Sequence, residues 1–318
     1  MAAETCWVLS DNRPGNENPC LGLAEAIGLE TVVKRFNPRP PWSRLPPRLW
    51  FAPFRAPAPG SDPLEPPWPD LLIACGRQTV ALSIAIKARS GGRTFTVQLL
   101  DPRVAPGRFD LVAAPEHDRL NGGNVISTVG ALNRVTTERL AAAAETFGAS
   151  VAHLPAPRIA VLIGGPSKNH RMTGAVAAGI GDRLAALARD TGAGLMVTAS
   201  QRTGRDNAEA LRRRLDGVAA VMWDGEGRNP YFGYLALAEA IVVTNDSVAM
   251  VSEACTTGKP VHVVELPGGS AKLDRFHESL RRAGCARPFT GALEHWSYPP
   301  LRETERVGEE VRRRIGLG

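Results

Sequence analysis

The stretch AIVVTNDSVAMVSEACTTGKPVHVVEL, residues 240–266, decides the fold. A short apolar run ends on Thr244, Asn245 and Asp246, as a buried strand running into a polar loop does. Ser247 then opens a helical stretch that stops at Gly258. The run PVHVVEL (260–266) is a second buried strand. A strand, a short loop, a helix and another strand make a βαβ unit, which requires parallel strands.

The same rhythm extends outward in both directions. Upstream in the second half lie RIAVLIGG (158–165), a helix at about 173–190, GLMVTAS (194–200), a helix from Arg205 to Leu215, VAAVMW (218–223) and a helix from Tyr231 to Ala240. Downstream, 271–283 and about 300–315 read as helices. In the first half CWVLS (6–10), DLLIACG (70–76), TFTVQLL (94–100), FDLVAA (109–114) and NVIS (124–127) read as strands. Helices are expected from LGLAEAIG (21–28), from Gln78 to about Arg89 and over 135–147, with DNRPGNENP (11–19) as a loop.

The pattern restarts after LPAP (154–157). It predicts an α/β protein of two Rossmann-like domains, each on a parallel sheet, facing a cleft. The expected boundaries are 1–153, carrying a proline-rich insertion at 38–69, then 158–298, then a helix in 299–318 that packs back on the first domain. Ligands of such folds sit at the carboxyl ends of strands, so function is to be read from the loops there.

Composition narrows the classes. The chain has 318 residues, 43% of them hydrophobic, which supports a real core and excludes global disorder. The start MAAETCWVLSDNRPG lacks a basic segment followed by an apolar one, so no signal peptide is expected. No apolar run is long enough to span a membrane. The five cysteines form no CxxC and read as reduced core thiols of a cytoplasmic protein. The net charge of +6 points to an anionic partner.

Three strand ends in the second half carry small polar residues. After the first come Gly164, Gly165, Ser167 and Lys168, where glycine lets backbone N–H groups approach an anion and lysine adds charge. The second carries Thr198, Ser200 and Arg202, hydroxyls and a guanidinium suited to phosphate oxygens. The third carries Asn245, Asp246 and Ser247 at a helix start, with Glu253 almost two turns on as an acceptor for ribose hydroxyls. Taken singly, Gly-Gly is also a plain turn and Asn-Asp-Ser a plain helix cap. Their coincidence at three strand ends of one domain favours a nucleotide diphosphate.

The order of these loops, ending in TNDSVAMVSEACTTGKPVHVVEL, resembles the donor domain of GT-B glycosyltransferases. Over nearly its full length the chain also resembles the mitochondrial-fission ELM family. The segments that carry this include SDNRPGNENPCLGLAEAIG, IACGRQTV, FDLVAAPEHD, IGGPSKNHRMT, TASQRTG, WDGEGRNPYFGYLALAEA and RPFTGALEHWSYPPLRET. The resemblance implies a GT-B-like fold. It places Gly164, Gly165 and Ser247 by a diphosphate, Glu253 by the ribose, and Trp223 and Asp224 by the base, although a tryptophan there serves equally as core. Plant relatives are associated with recruiting a dynamin-like protein to mitochondria; bacterial ones are often labelled nucleoside-diphosphate-sugar enzymes.

In the first half, Asp11 is a candidate general base, with Gly15 and Asn16 beside it. Other candidates are Gly76 and Arg77, Asp101, and Glu116, His117 and Asp118, of which His117 can take a proton near neutral pH. An aspartate in such a loop also serves as a cap, and a loop histidine as a bystander. The chain has no DxD, GxxxxGK[ST], GxSxG or HExxH motif and no GxGxxG after its first strand. No metal site or resident cofactor is therefore expected.

Twelve of the 26 prolines fall between Pro38 and Pro69. Among them lie Trp42, Trp50, Phe51, Phe54, Trp68, Arg39, Arg44, Arg48 and Arg55. This segment reads either as a rigid loop whose aromatics pack back on the first domain or as a docking patch for an anionic membrane surface or lipid-linked acceptor. Nucleic acid is not expected, because the aromatics lie on no sheet or helix.

The function expected is metal-independent transfer of a sugar from a nucleoside diphosphate sugar to an envelope lipid or saccharide, in the cytoplasm or at the inner membrane face. The rivals are a nucleotide-sugar epimerase on the same fold and a non-enzymatic membrane adaptor. Oligomeric state is open.

Overall fold

In a computed structural model, residues 3–317 are described. The domain limits expected at residues 1 and 318 lie outside them. The chain forms two compact units. One runs up to Arg134 and resumes at Arg302; the other is Val135–Leu301.

The first unit is built on β1 (Cys6–Ser10), α1 (Pro14–Ile27), β2 (Thr31–Arg35), β3 (Leu71–Cys75), α2 (Val80–Arg89), β4 (Phe95–Leu99), β5 (Leu111–Pro115) and β6 (Val125–Thr128). Its sheet is parallel throughout, in the order β2-β1-β3-β4-β5-β6. β1 and β3 are buried along their whole lengths, as the continuous apolar runs CWVLS and LLIAC require when helices cover both faces. β2 is the edge strand, half-exposed and without an apolar run. α1 starts at Pro14 rather than after Pro19, so Gly15 and Asn16 belong to its first turn. Proline at the first helical position has no N–H to waste, which makes this start favourable.

The second unit contains α3 (Thr137–Val151), β7 (Arg158–Ile163), α4 (Gly174–Thr191), β8 (Gly194–Ala199), α5 (Arg205–Arg214), β9 (Ala220–Met222), α6 (Tyr231–Leu237), β10 (Ala240–Thr244), α7 (Val248–Thr256), β11 (Val261–Val264), α8 (Ala271–Arg282) and β12 (Ala286–Pro288). Its parallel sheet has the order β12-β11-β10-β7-β8-β9. β10, the strand of the opening motif, pairs with both β7 and β11.

The second unit begins at Val135, not at the expected 158. Helix α3, grouped by sequence with the first domain, packs on α6. The closing helix α9 (Glu303–Arg314) lies on α1, where Val307 and Val311 enter the core with Leu23 and Ile27.

The proline-rich segment joins β2 to β3. Trp42, Trp50, Phe36 and Ala56 are buried with Trp7, Leu9, Leu72 and Leu82, covering one face of the first sheet. The tryptophan N–H groups are satisfied internally, Trp42 Nε1 donating to the Phe51 carbonyl at 2.7 Å and Trp50 Nε1 to the Leu45 carbonyl at 3.3 Å. All five cysteines are free and buried. Among the described residues no helix is long and apolar enough to cross a membrane.

Candidate functional site

In each unit the strands are parallel, so all their carboxyl ends share one edge of the sheet. In the second unit β10, β7 and β8 are neighbours, which brings the three polar loops together.

Their hub is the Asp246 carboxylate, whose side chain has no exposed surface. Oδ2 accepts from the Gly165 N–H at 3.1 Å and from Arg202 Nη2 at 2.7 Å, and Oδ1 accepts from the Thr244 hydroxyl at 2.7 Å. A buried carboxylate needs this many donors, one of them charged, to offset its lost hydration. Arg202 also donates through Nη1 to the carbonyls of Gly165 and Pro166. The side chain stays 43% exposed, so its guanidinium ties the loops together while still facing solvent.

This hub accounts for the glycine pair. A Cβ on Gly164 would lie 2.1 Å from Asp246 Oδ1, and one on Gly165 would lie 2.3 Å from the Arg202 carbonyl carbon. The Gly164 N–H donates to the Thr244 hydroxyl at 2.8 Å. Both glycine N–H groups, expected from sequence to meet an anion, are thus engaged within the protein, and the glycines are fixed by close packing.

Donors that do face outward come from elsewhere in these loops. Lys168 is exposed. Ser247 caps α7 by accepting from the Met250 N–H, and the first turn of that helix is half-buried. The remaining first-turn N–H groups carry the positive end of the helix dipole. Ser167 accepts from the N–H groups of Asn169 and His170, Ser200 lies 3.3 Å from the Thr203 hydroxyl, and Thr198 is buried within β8. The two serine hydroxyls shape the loops, and Thr198 belongs to the strand.

Glu253, one and a half turns into α7, is the most perturbed carboxylate of the site. It accepts a 2.6 Å hydrogen bond from the Tyr231 hydroxyl at Oε2. Burial raises its pKa to about 7, against the lowering effect of that bond. Burial and the neighbouring carboxylate push the Tyr231 phenol well up, so it remains a donor. Tyr231 holds one carboxylate oxygen, and among the described residues no hydrogen bond engages Oε1. Sequence reasoning saw only a helix beginning at Tyr231; the aromatic at its first position, 22 residues from its partner, was the available signal. Trp223 is half-buried, its indole donating to the Glu226 carbonyl at 2.7 Å, and Asp224 is exposed.

Beside Asn245 a cavity of about 240 Å³ is lined by Glu265, Asp274, His277, Arg281 and Arg287 among others. The Asn245 amide oxygen accepts from the Leu266 N–H at 3.0 Å, and its carbonyl accepts from His277 Nε2 at 2.9 Å. With the proton on Nε2, His277 Nδ1 is a bare acceptor, buried without a hydrogen-bond partner. Burial lowers the pKa of this imidazole, keeping it neutral.

In the first unit, the loops after β1 and β3 meet. Asp11 is buried, and both its oxygens accept from the Asn16 amide, at 3.1 and 3.0 Å. Gly76, at φ +81°, lets that amide approach to where a Cβ would lie 2.7 Å away. Gly15 and Arg77 are exposed. Asp101 folds back on Arg103, accepting from its N–H at 2.8 Å and pairing with Nε at 3.0 Å. His117 is 4% exposed and points at Asp118 across 4.0 Å, while Glu116 faces solvent. Asp11, Asn16 and Gly76 form one cluster; Gly15, Arg77 and Asp101 do not join it. Among the described residues no group of three or more His, Cys, Asp or Glu side chains is placed to hold a metal ion.

Comparison with known proteins places this architecture. A family model described as Mitochondrial fission ELM1 matches residues 14–315. The chain is 34% identical over 274 residues to the mitochondrial fission protein ELM1 of Arabidopsis thaliana, covering 78% of this chain and 64% of that one. It therefore spans just under two thirds of the plant protein's length. An uncharacterized protein of Rickettsia prowazekii (strain Madrid E) is 26% identical across 96% of this chain and 97% of its own. Among solved structures, the UDP-GlcNAc 2-epimerase of Methanocaldococcus jannaschii, in complex with UDP-GlcNAc and UDP, aligns with a TM-score of 0.58 at 12% identity, covering 99% of each chain. Os79 from O. sativa in complex with UDP aligns with a TM-score of 0.53 at 10% identity, covering 99% of this chain and 93% of that one. The fold is the GT-B-like fold shared by such glycosyltransferases and epimerases.

Proposed function

The chain belongs to the mitochondrial fission ELM1 family, and from that premise we propose that its second unit binds a nucleoside diphosphate sugar. The reaction proposed is metal-independent transfer of the sugar to an envelope lipid or saccharide acceptor, in the cytoplasm or at the inner face of the membrane. The observation that carries this reading is the pair formed by Tyr231 of α6 and Glu253 of α7, behind a helix start flanked by Arg202 and Lys168. A carboxylate with one oxygen fixed and one open suits ribose hydroxyls, which must donate. The helix start and the two cations stabilise a diphosphate as it leaves, the task a metal performs elsewhere. Gly164, Gly165, Ser167, Thr198, Ser200, Asn245, Asp246 and Ser247 keep these groups in place. Asp11 and His117 are the proposed acid–base groups of the first unit, each testable by its own substitution. Fold neighbours crystallised with UDP or UDP-GlcNAc make uridine nucleotides the first ligands to try.

The test is a thermal-shift panel of nucleoside diphosphates and their sugars on wild type and Glu253→Ala. A ligand at a hundred times its Kd adds about 2.7 kcal/mol, a shift of several degrees. The reading predicts such a shift for at least one nucleotide, lost in Glu253→Ala; no shift with any nucleotide refutes it. If a nucleotide sugar binds and is converted without an acceptor, the activity is epimerisation. The other alternative, a non-enzymatic membrane adaptor, needs no nucleotide at all.

A further inference from the structure

The segment between β2 and β3 contains a closed lobe. An antiparallel bridge between Pro38 and Pro57 forms its neck, tightened by hydrogen bonds from Arg39 N to Ala56 O at 2.9 Å and Ala58 N to Asn37 O at 2.8 Å. The lobe, residues 39–56, is held from inside by the buried Trp42 and Trp50. On its outside stand Leu49, 54% exposed, and Phe51, 58% exposed, two of the three exposed large hydrophobic side chains among the described residues.

Charge along this segment is of one sign. From Phe36 to Ser61 the sequence contains four arginines and no carboxylate. Arg39, Arg44, Arg48 and Arg55 are all exposed, and none makes an ion pair among the described residues. Contacts tie Arg39 to the Phe51 side of the lobe. The Arg39 guanidinium lies 5.6 Å over the Trp42 ring, whose centroid is 5.1 Å from that of Phe51. Arg39 Nε also donates to the Arg55 carbonyl at 3.0 Å. Arg48 directly precedes Leu49. Arg89, from α2, lies 4.9 Å over Phe54 at the base of the lobe.

We infer that the lobe Arg39–Ala56 is a docking surface for an anionic phospholipid bilayer, with Leu49 and Phe51 entering the headgroup layer and the four arginines on lipid phosphates. Two exposed apolar side chains bind a membrane only marginally, and unpaired cations supply the second attachment. Because the lobe is pinned at its neck and by two buried tryptophans, little backbone freedom is lost on docking. A single-stranded nucleic acid would stack successive bases on several exposed rings, and of the lobe's four aromatic residues only Phe51 is exposed: Phe54 is half-buried and both tryptophans are buried, at 7% and 9% exposure. The inference deepens the acceptor side of the function proposed above, but its test uses no nucleotide, so the two fail separately.

The experiment is flotation of the full chain with vesicles of phosphatidylcholine alone or with about a third phosphatidylglycerol, at salt from about 0.05 to 0.3 M. The chain should float with the anionic vesicles only, less well as salt rises. Each arginine near the surface should be worth roughly fivefold in partitioning, so Arg44→Glu with Arg48→Glu should lower it by at least about 25-fold. Leu49→Asp with Phe51→Asp should abolish the binding that survives high salt. These side chains are exposed, and unchanged thermal melts will verify folding. Equal flotation with neutral vesicles, or flotation of both double variants like wild type, overturns the inference. So does tighter binding of a single-stranded RNA than of the anionic vesicles.

Discussion

Replacing Glu253 with glutamine separates the cost of its charge from the value of its hydrogen bond. Glutamine keeps the shape and an oxygen that can accept from the Tyr231 hydroxyl, but it cannot ionise. In the folded chain burial raises the Glu253 pKa from an ordinary 4.5 to about 7. The folded state therefore holds a proton that the unfolded state has released between those values. Where the folded state binds more protons, stability falls as pH rises. The loss begins near pH 4.5, is complete above pH 7, and is at most about 3 kcal/mol. Glutamine carries no such loss. For a unit of this size about 1 kcal/mol corresponds to 2–4 °C, so Glu253→Gln should melt roughly 5–10 °C above wild type at pH 8.5 and close to it at pH 5. Scanning calorimetry of both proteins at the two pH values measures this directly, and taking the difference between them cancels all other titrations. A variant less stable than wild type at pH 8.5, or equally displaced at both, would show that the folded site favours the ionised carboxylate and would refute the reasoning.

Other outcomes follow from the same geometry. Tyr231→Phe removes the bond that lowers the Glu253 pKa, so the pH midpoint of nucleotide binding should move upward, as a titration of Kd against pH will show. Asp246→Asn breaks the charged link to Arg202 inside the hub and should cost about 1–3 kcal/mol in a denaturant melt. Gly164→Ala forces a Cβ to 2.1 Å from Asp246 Oδ1 and should cost about 1–3 kcal/mol or more, whereas Gly15→Ala, with open space around it in α1, should be neutral or stabilising by up to about 1 kcal/mol.

What the sequence revealed depended on whether the signal was local. Fully buried strands such as LLIAC and AIVVT announce themselves through continuous apolar runs. The edge strand TVVKR and the three-residue ARP do not, because an edge exposes one side and a short strand carries no period. The polar loops after β7, β8 and β10 were legible because they interrupt such runs. Their partners were not. Gly164 bonds Thr244, 80 residues away, and Gly165 bonds Asp246, 81 away, so no reading of IGGPSKN alone could tell engaged N–H groups from free ones. The Tyr231–Glu253 pair was hidden for the same reason. The prolines at 38–69 left two readings open; Trp42 and Trp50 pack inward, as the rigid-loop reading expects, while Leu49 and Phe51 face out. The placement of α3 with α6 depended on packing that the break at LPAP could not disclose.

The central claim, a nucleotide site built on Glu253, is tested most directly by calorimetric titration of uridine diphosphate and its N-acetylglucosamine ester at pH 6 and pH 8, on wild type and Glu253→Gln. A ribose hydroxyl donates far more strongly to the ionised carboxylate, so wild type should bind more tightly at pH 8 than at pH 6, by up to about tenfold, beyond any change shared by the variant, and the variant should bind more weakly at pH 8. No heat of binding with either ligand, or identical affinities for the two proteins at both pH values, would contradict the account.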